Sequence, residues 1–244
     1  MMSPFPAKLA IVAAMSDINV LSTHAVYEVL SELAPAFERT SGHRLSFSYN
    51  PTAAIRREID GGAAFDVAIV TRSAIDELAG QGVILRETCA DLARCGLGVS
   101  VRNGAPKPEI GTVDAFRHAL LAVKSVVRSR DGASGKAFEA LLYRLGIADA
   151  MRGKIIVGPA GRIAELVARG EGELAVQQIP ELVPVKGADF VGPFPAELQV
   201  YTKFAAGVAA ASKHREIAKA FVDALTAPAV MALYKVKGLE PTVR

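Results

Sequence analysis

The chain has 244 residues, 51% of them apolar, and its 28 basic and 25 acidic residues leave a net charge of +3. That apolar content supports a substantial core and excludes disorder of the whole chain. The balanced charge excludes the basic stripe of a nucleic-acid-binding surface, and no run of about 18 uninterrupted apolar residues is available to span a bilayer.

Apolar runs alternate with helical patterns along most of the chain. Leu9–Met15 follows Lys8 and faintly resembles the core of an export leader, but it also suits a buried parallel strand, and its removal would delete that strand. We therefore read it as the first strand; a native start then implies a cytoplasmic protein, and a removed leader a periplasmic one. In 24–39, Val26, Leu30, Leu33 and Phe37 share one helical face, with Ser22 or Thr23 to cap it and Gly42 to end it. Residues 45–49 alternate as a strand, 52–59 read as a helix stopped by Gly61 and Gly62, 67–70 as a strand and 73–79 as a helix closing at Gly80. Three strand–helix units in succession imply a parallel sheet with right-handed crossovers.

A strand at 96–101 and a turn-rich connector at 103–108 lead to a second set: helix 113–123, strand 125–128, helix 135–145, strand 154–157, helix 163–168 and strand 173–178. A strand at 204–211 and helices at 216–225 and 230–236 close the chain. The expected fold is α/β and two-lobed. Residues 1–95 with 206–244 form the first lobe, 104–198 the second, and 96–103 and 199–205 are hinge crossings beside an interlobe ligand cleft.

Ligands of open parallel sheets bind beyond the carboxyl ends of the strands, where helix N-termini offer free N–H groups to anions. The loops there hold Ser16 or Ser22 and Thr23, Asn50 and Thr52, Thr71 and Arg72, Arg130 and Ser134, Gly161 and Arg162, and finally Gln178. Any one hydroxyl is accounted for by helix capping and any one arginine by a surface position. Arg72, Arg130 and Arg162 at corresponding strand ends make a stronger case together. Cys89 and Cys95 read as free thiols rather than a disulfide. The four histidines, His24, His43, His118 and His214, form no metal motif, and no nucleotide loop, dinucleotide fingerprint or hydrolase elbow is present, so no cofactor and no metal are expected.

Five segments in order give a resemblance. Phe47–Ile55, Phe65–Val70, Ala133–Gly135, Ala168–Gln178 and Lys237–Pro241 resemble the ligand loops, sheet segments and ending of the molybdate-type solute-binding proteins over nearly the whole chain. The resemblance implies the type II periplasmic-binding-protein fold, a small anionic ligand and an ABC transporter membrane component as partner. It also departs from the family, which holds tetrahedral oxyanions with neutral hydroxyls, backbone N–H groups and a tyrosine. Here Gln178 stands at the tyrosine position and three arginines enter the loops. Arginine grips carboxylates bidentately, which favours an organic polycarboxylate over molybdate. Aconitate isomerases are similar to the same family, so isomerisation of a tricarboxylate is the rival expectation, and a cytoplasmic ligand sensor a third. An isomerase needs a base, and Asp131, His24 and Tyr49 are the candidates.

Overall fold

In the computed structural model, which describes residues 15–130, 132–159 and 161–242, the chain begins with β1 (Asp17–Ser22), α1 (Tyr27–Ser41), β2 (Arg44–Tyr49), α2 (Thr52–Asp60), β3 (Val67–Thr71), α3 (Arg72–Gly80) and β4 (Ala90–Cys95). There follow β5 (Leu97–Arg102), α4 (Val113–Ala122), β6 (Val126–Ser129), α5 (Ala133–Arg144), α6 (Ala148–Met151), β7 (Ile155–Gly158), α7 (Ala164–Ala168), β8 (Leu174–Gln178), α8 (Ile179–Leu182) and β9 (Ala188–Pro193). The chain ends with β10 (Thr202–Val208), α9 (Arg215–Leu225), α10 (Met231–Val236) and β11 (Glu240–Pro241). One unit takes the described residues up to Arg94 and from Lys203 onward; the other runs Cys95–Thr202.

The first strand among the described residues lies beyond the apolar run. Residues 9–14 lie outside the described residues, and the strand is Asp17–Ser22, a segment whose alternation buries Ile18 and Val20 and exposes Asp17 and Asn19. The two units meet at Arg94/Cys95, just before the expected crossing at 96–103, and at Thr202/Lys203, within the expected crossing at 199–205. Residues 97–102, expected as a hinge, form a strand inside the second unit's sheet. Gln199 is held to that strand, accepting from the Leu97 N–H at 2.7 Å and donating to its carbonyl at 3.0 Å.

The first unit's sheet runs β11-β4-β10-β3-β1-β2. β1 pairs in parallel with both β2 and β3, while β10 returns antiparallel against β3. β3 is buried on both faces, as its continuous Val67-Ala68-Ile69-Val70 run requires. One face packs Leu21, Ile55, Ile75, Leu78 and Ile84; the other carries Phe221 of α9 against Phe37 of α1, with ring centroids 5.1 Å apart. Asp66 pins the start of β3, accepting from the Asn19 N–H at 2.8 Å and the Ser212 hydroxyl at 2.5 Å.

The second unit's sheet runs β7-β6-β8-β5-β9, with β6 parallel to β7 and β8 and β5 antiparallel to its neighbours. Phe116, Phe138 and Phe194 fill one face, Phe116 and Phe194 with centroids at 4.7 Å. Ile163, Val167, Leu182 and Val185 cover the other. No single helix among the described residues is long and apolar enough to cross a membrane. Cys89 and Cys95 are not joined in a disulfide, as read from the sequence.

Candidate functional site

The two sheets share a feature that locates the chemistry. In each, three parallel strands are wound so that the first in sequence lies in the middle, β1 between β2 and β3, and β6 between β7 and β8. The crossovers leave that middle strand in opposite directions, so a crevice opens beyond its carboxyl end, the topological switch point of an open α/β sheet. In the first unit this is the Ser22-Thr23 corner; in the second it is the 130–134 turn.

At the first corner, the Thr23 N–H donates to the Ile69 carbonyl at 3.1 Å, and the Asn50 N–H to the Ser22 carbonyl at 3.0 Å, so the ends of β1, β2 and β3 are bound together. Ser22 is fully buried and its hydroxyl donates to the Thr23 carbonyl at 3.3 Å. Thr23 is 7% exposed, yet its Oγ1 has no hydrogen-bond partner among the described residues. A hydroxyl buried without a partner costs free energy, which a ligand atom at that position would recover. The Thr52 hydroxyl accepts from the Thr71 N–H at 3.4 Å, and the Thr71 and Ser73 hydroxyls lie 3.4 Å apart. Neither α2 nor α3 receives a side-chain cap at its N-terminus. In contrast, Thr112 caps α4, accepting from the Ala115 N–H at 3.2 Å.

Three of the expected residues stand differently here. Ser16 precedes β1 and lies at its opposite end, roughly 20 Å from Ser22 at the usual rise of a strand. Of the two alternatives for the first loop, the geometry leaves Ser22 and Thr23. Asn50 directs its amide to Glu58 Oε1 at 2.9 Å. Arg72 is engaged by carboxylates: Nη2 donates to Asp76 at 2.8 Å and Nη1 to Asp91 at 2.6 Å. The bonds to Asp76 raise the guanidinium above its ordinary range and hold the Asp76 carboxyl below its own.

In the second unit, the Ser129 and Ser134 hydroxyls are buried 3.3 Å apart at the start of α5. Gly132 and Gly135 let this helix N-terminus sit directly on the end of β6. A Cβ on Gly132 would meet Ser129 Oγ at 2.6 Å, and one on Gly135 the Ser129 carbonyl oxygen at 2.1 Å. Among the described residues the α5 N-terminus has no side-chain cap. Arg130 donates its N–H to the Gly158 carbonyl at 3.2 Å, and its exposed guanidinium has no partner among the described residues. Gly161 takes φ +97°, which only glycine adopts readily. Its turn is fastened by Gln177, whose Oε1 accepts from the Ile163 N–H at 3.2 Å and whose Nε2 donates to the Gly161 carbonyl. Gln178, the expected ligand, is also buried but faces the other side of the strand.

Of the candidate bases, Asp131 lies outside the described residues. Burial, with Tyr27 nearby, lifts the Tyr49 phenol well above its ordinary value and keeps it neutral. His24 lies against it, ring centroids 6.0 Å apart. Glu181 was missed. It occupies the first turn of α8, just beyond β8, where burial pushes its carboxyl up to about 8 although a hydrogen bond from Gln177 opposes the shift. Its sequence context, a glutamate one residue after a proline at a helix start, reads as an ordinary dipole partner, which hid it.

Among known proteins, the model of the bacterial extracellular solute-binding protein family matches residues 18–240. An aconitate isomerase from a Pseudomonas species is 31% identical over 233 residues, 93% of this chain and 88% of that protein. A molybdate-binding protein of Azotobacter vinelandii is 24% identical over 94% of this chain and 92% of its own length. The solved Azotobacter vinelandii periplasmic molybdate-binding protein shares the fold, with a TM-score of 0.77 at 18% identity over 93% of this chain and 99% of that one. The expected periplasmic-binding-protein fold is thus met, and the chain belongs to the bacterial extracellular solute-binding protein family.

Proposed function

We propose that the chain binds a small organic polycarboxylate, of the di- or tricarboxylic class, at loops beyond the carboxyl ends of its parallel strands. The observation that carries an anion there is the Thr23 hydroxyl, buried at a switch point without a partner among the described residues. Uncapped helix N-termini at α2, α3 and α5 supply further donors and a favourable dipole. The carboxylate class follows from Arg130, whose guanidinium is uncommitted among the described residues, and from the aconitate isomerase relative. Arg72 leaves the proposed ligand set because its charge is already met by Asp76 and Asp91. In the first unit Ser22, Thr23, Thr52 and Thr71 remain candidates; in the second Arg130, Ser134, Gly161 and Arg162 do, with Gln177 holding the Gly161 turn.

The family points to capture of a solute outside the cytoplasm for a membrane transport component, and the reading follows it. Cell fractionation of the expressed chain checks this: export from the cytoplasm is expected, and a product retained in the cytoplasm contradicts it.

Replacing Arg130 with Ala is expected to weaken polycarboxylate binding at least tenfold, since hydrogen bonds to charged groups are worth about 1.5–3 kcal/mol. The same change at Arg72, an exposed ion pair, should alter affinity less than about threefold. Thermal-shift titration of citrate and the aconitates measures both, because a bound ligand raises stability by mass action. Equal losses at the two positions would return Arg72 to the site.

A second reading, favoured by the aconitate isomerase relative, is turnover of the bound tricarboxylate by a proton shift. The donors that hold the anion would then also stabilise the carbanion-like charge of the transition state.

A further inference from the structure

We propose that the second unit carries a separate binding site at the end of its sheet away from the 130–134 turn, and that this site takes a monocarboxylate with an apolar body, such as an arylalkanoate. The geometry behind it is a cavity of about 640 Å³, enclosed by three connectors: the segment after β5, the turn between α4 and β6, and the turn between α7 and β8. Small-molecule sites run roughly 300–1,000 Å³, so the volume suits a ligand of that size. Val101 and Leu174, a registered pair of β5 and β8, form the buried floor. Half-buried Ala105, Pro108 and Val123 add apolar wall.

Each wall is fixed by its own hydrogen bonds, so the cavity is preformed. Asp189 holds the connector after β5, accepting from the Asn103 amide at 2.8 Å and the Gly104 N–H at 3.2 Å. Ser125 and Glu173 tie the other two turns together: the Glu173 N–H donates to Ser125 Oγ at 3.1 Å, and Glu173 Oε2 accepts from the Lys124 N–H at 2.8 Å. Gly170 takes φ +80° and leaves the mouth clear of any side chain at that position.

These bonds engage the acids and leave cations over. Glu173 is held by the Lys124 N–H, and Glu171 accepts from Arg169 at 2.6 Å. Lys107 donates to the Phe190 carbonyl at 3.1 Å. The exposed Arg102 guanidinium, whose Nη1 lies 3.6 Å from where a Cβ on Gly170 would stand, and the exposed Lys124 ammonium have no hydrogen bond or ion pair among the described residues. The uncommitted charge at the rim is therefore positive, over an apolar interior. An anion with one charged end fits: the carboxylate meets Arg102 or Lys124 in water, and the hydrocarbon covers Ala105, Pro108 and Val123. A polycarboxylate fits poorly, because its further charges would be desolvated against those walls. Leu174 and Gln178 stand at opposite ends of β8, roughly 13 Å apart at the usual rise of a strand, so this site and the Gly161 turn do not share a ligand.

The test is amide NMR of the isotopically labelled full chain titrated with phenylpropionate, with neutral phenylpropionamide as the comparison. Saturable shifts are expected at the amides of 101–107, 123–125 and 170–174, with half-saturation at about 1 mM or below. Binding should weaken about fivefold or more for the neutral amide, and likewise in a chain carrying Arg102→Gln and Lys124→Gln. Arg130→Ala should leave the titration unchanged, and saturating citrate should not displace the probe. No saturable shift up to about 10 mM phenylpropionate, or shifts centred elsewhere in the chain, would overturn the proposal. Equal affinity for the neutral amide would overturn the assignment of an anion, and that comparison stands on the wild type even if the double variant does not fold. Undiminished affinity in a folded double variant would do the same. Displacement by citrate would show that the cavity is not a separate site.

Discussion

Replacing Thr23 with Val is expected to weaken anion binding by about tenfold to a hundredfold while leaving the ligand-free protein as stable as wild type, or more so. The two effects have one cause. Valine keeps the shape of threonine and puts a methyl in place of the hydroxyl, which in the ligand-free protein is buried with no partner among the described residues. An unsatisfied buried polar group costs about 1–3 kcal/mol, so its removal relieves the folded state. In the complex the same hydroxyl donates to a charged oxygen, an interaction worth about 1.5–3 kcal/mol, and valine cannot replace it. Thr23→Ser, which retains the hydroxyl, should bind nearly as well as wild type. Calorimetric titration and urea unfolding of the three chains separate the outcomes. A Thr23→Val chain that unfolds earlier and binds normally would make Thr23 a packing residue.

Gly135→Ala should be the most damaging small change in the second unit. Its Cβ would stand 2.1 Å from the Ser129 carbonyl oxygen, a backbone atom that cannot swing aside as a side chain would. Helix α5 must then lift from the end of β6, separating the Ser129 and Ser134 hydroxyls. Overpacking of this kind costs about 1–3 kcal/mol and occasionally more. For a chain of this size each kcal/mol lowers the Tm by about 2–4 °C. Gly111→Ala is the control, since nothing lies within 4 Å of its added methyl. Equal stability of the two variants would show that the close approach of α5 to β6 is not tight.

The same helix illustrates what the sequence discloses. The Ala133-Ser134-Gly135 turn, the continuous Val67–Val70 strand and the buried face of Val26, Leu30, Leu33 and Phe37 are legible because period and turn chemistry are local. β1 was not legible. Its Asp-Ile-Asn-Val-Leu-Ser alternation is that of a half-exposed strand, and a stronger apolar run stands just before it. β4, β9 and the four-residue α8 lack either period and went unread. Among the site residues, the four-residue spacing of Arg72 and Asp76 announces a helical ion pair. The bond to Asp91 depends on the fold and does not show in the sequence. The Thr23 hydroxyl owes its importance to burial and to what surrounds it, which no spacing reveals.

Carboxylate preference is the central claim, and calorimetric titration of the wild-type chain with cis-aconitate, trans-aconitate, citrate, sulfate and molybdate at one ionic strength tests it most directly. At least one tricarboxylate is expected to bind with a Kd in the micromolar range or below, at least tenfold tighter than molybdate or sulfate, and to lose that margin in Arg130→Ala. Tight molybdate binding with no heat from any tricarboxylate, unaffected by Arg130→Ala, would contradict it.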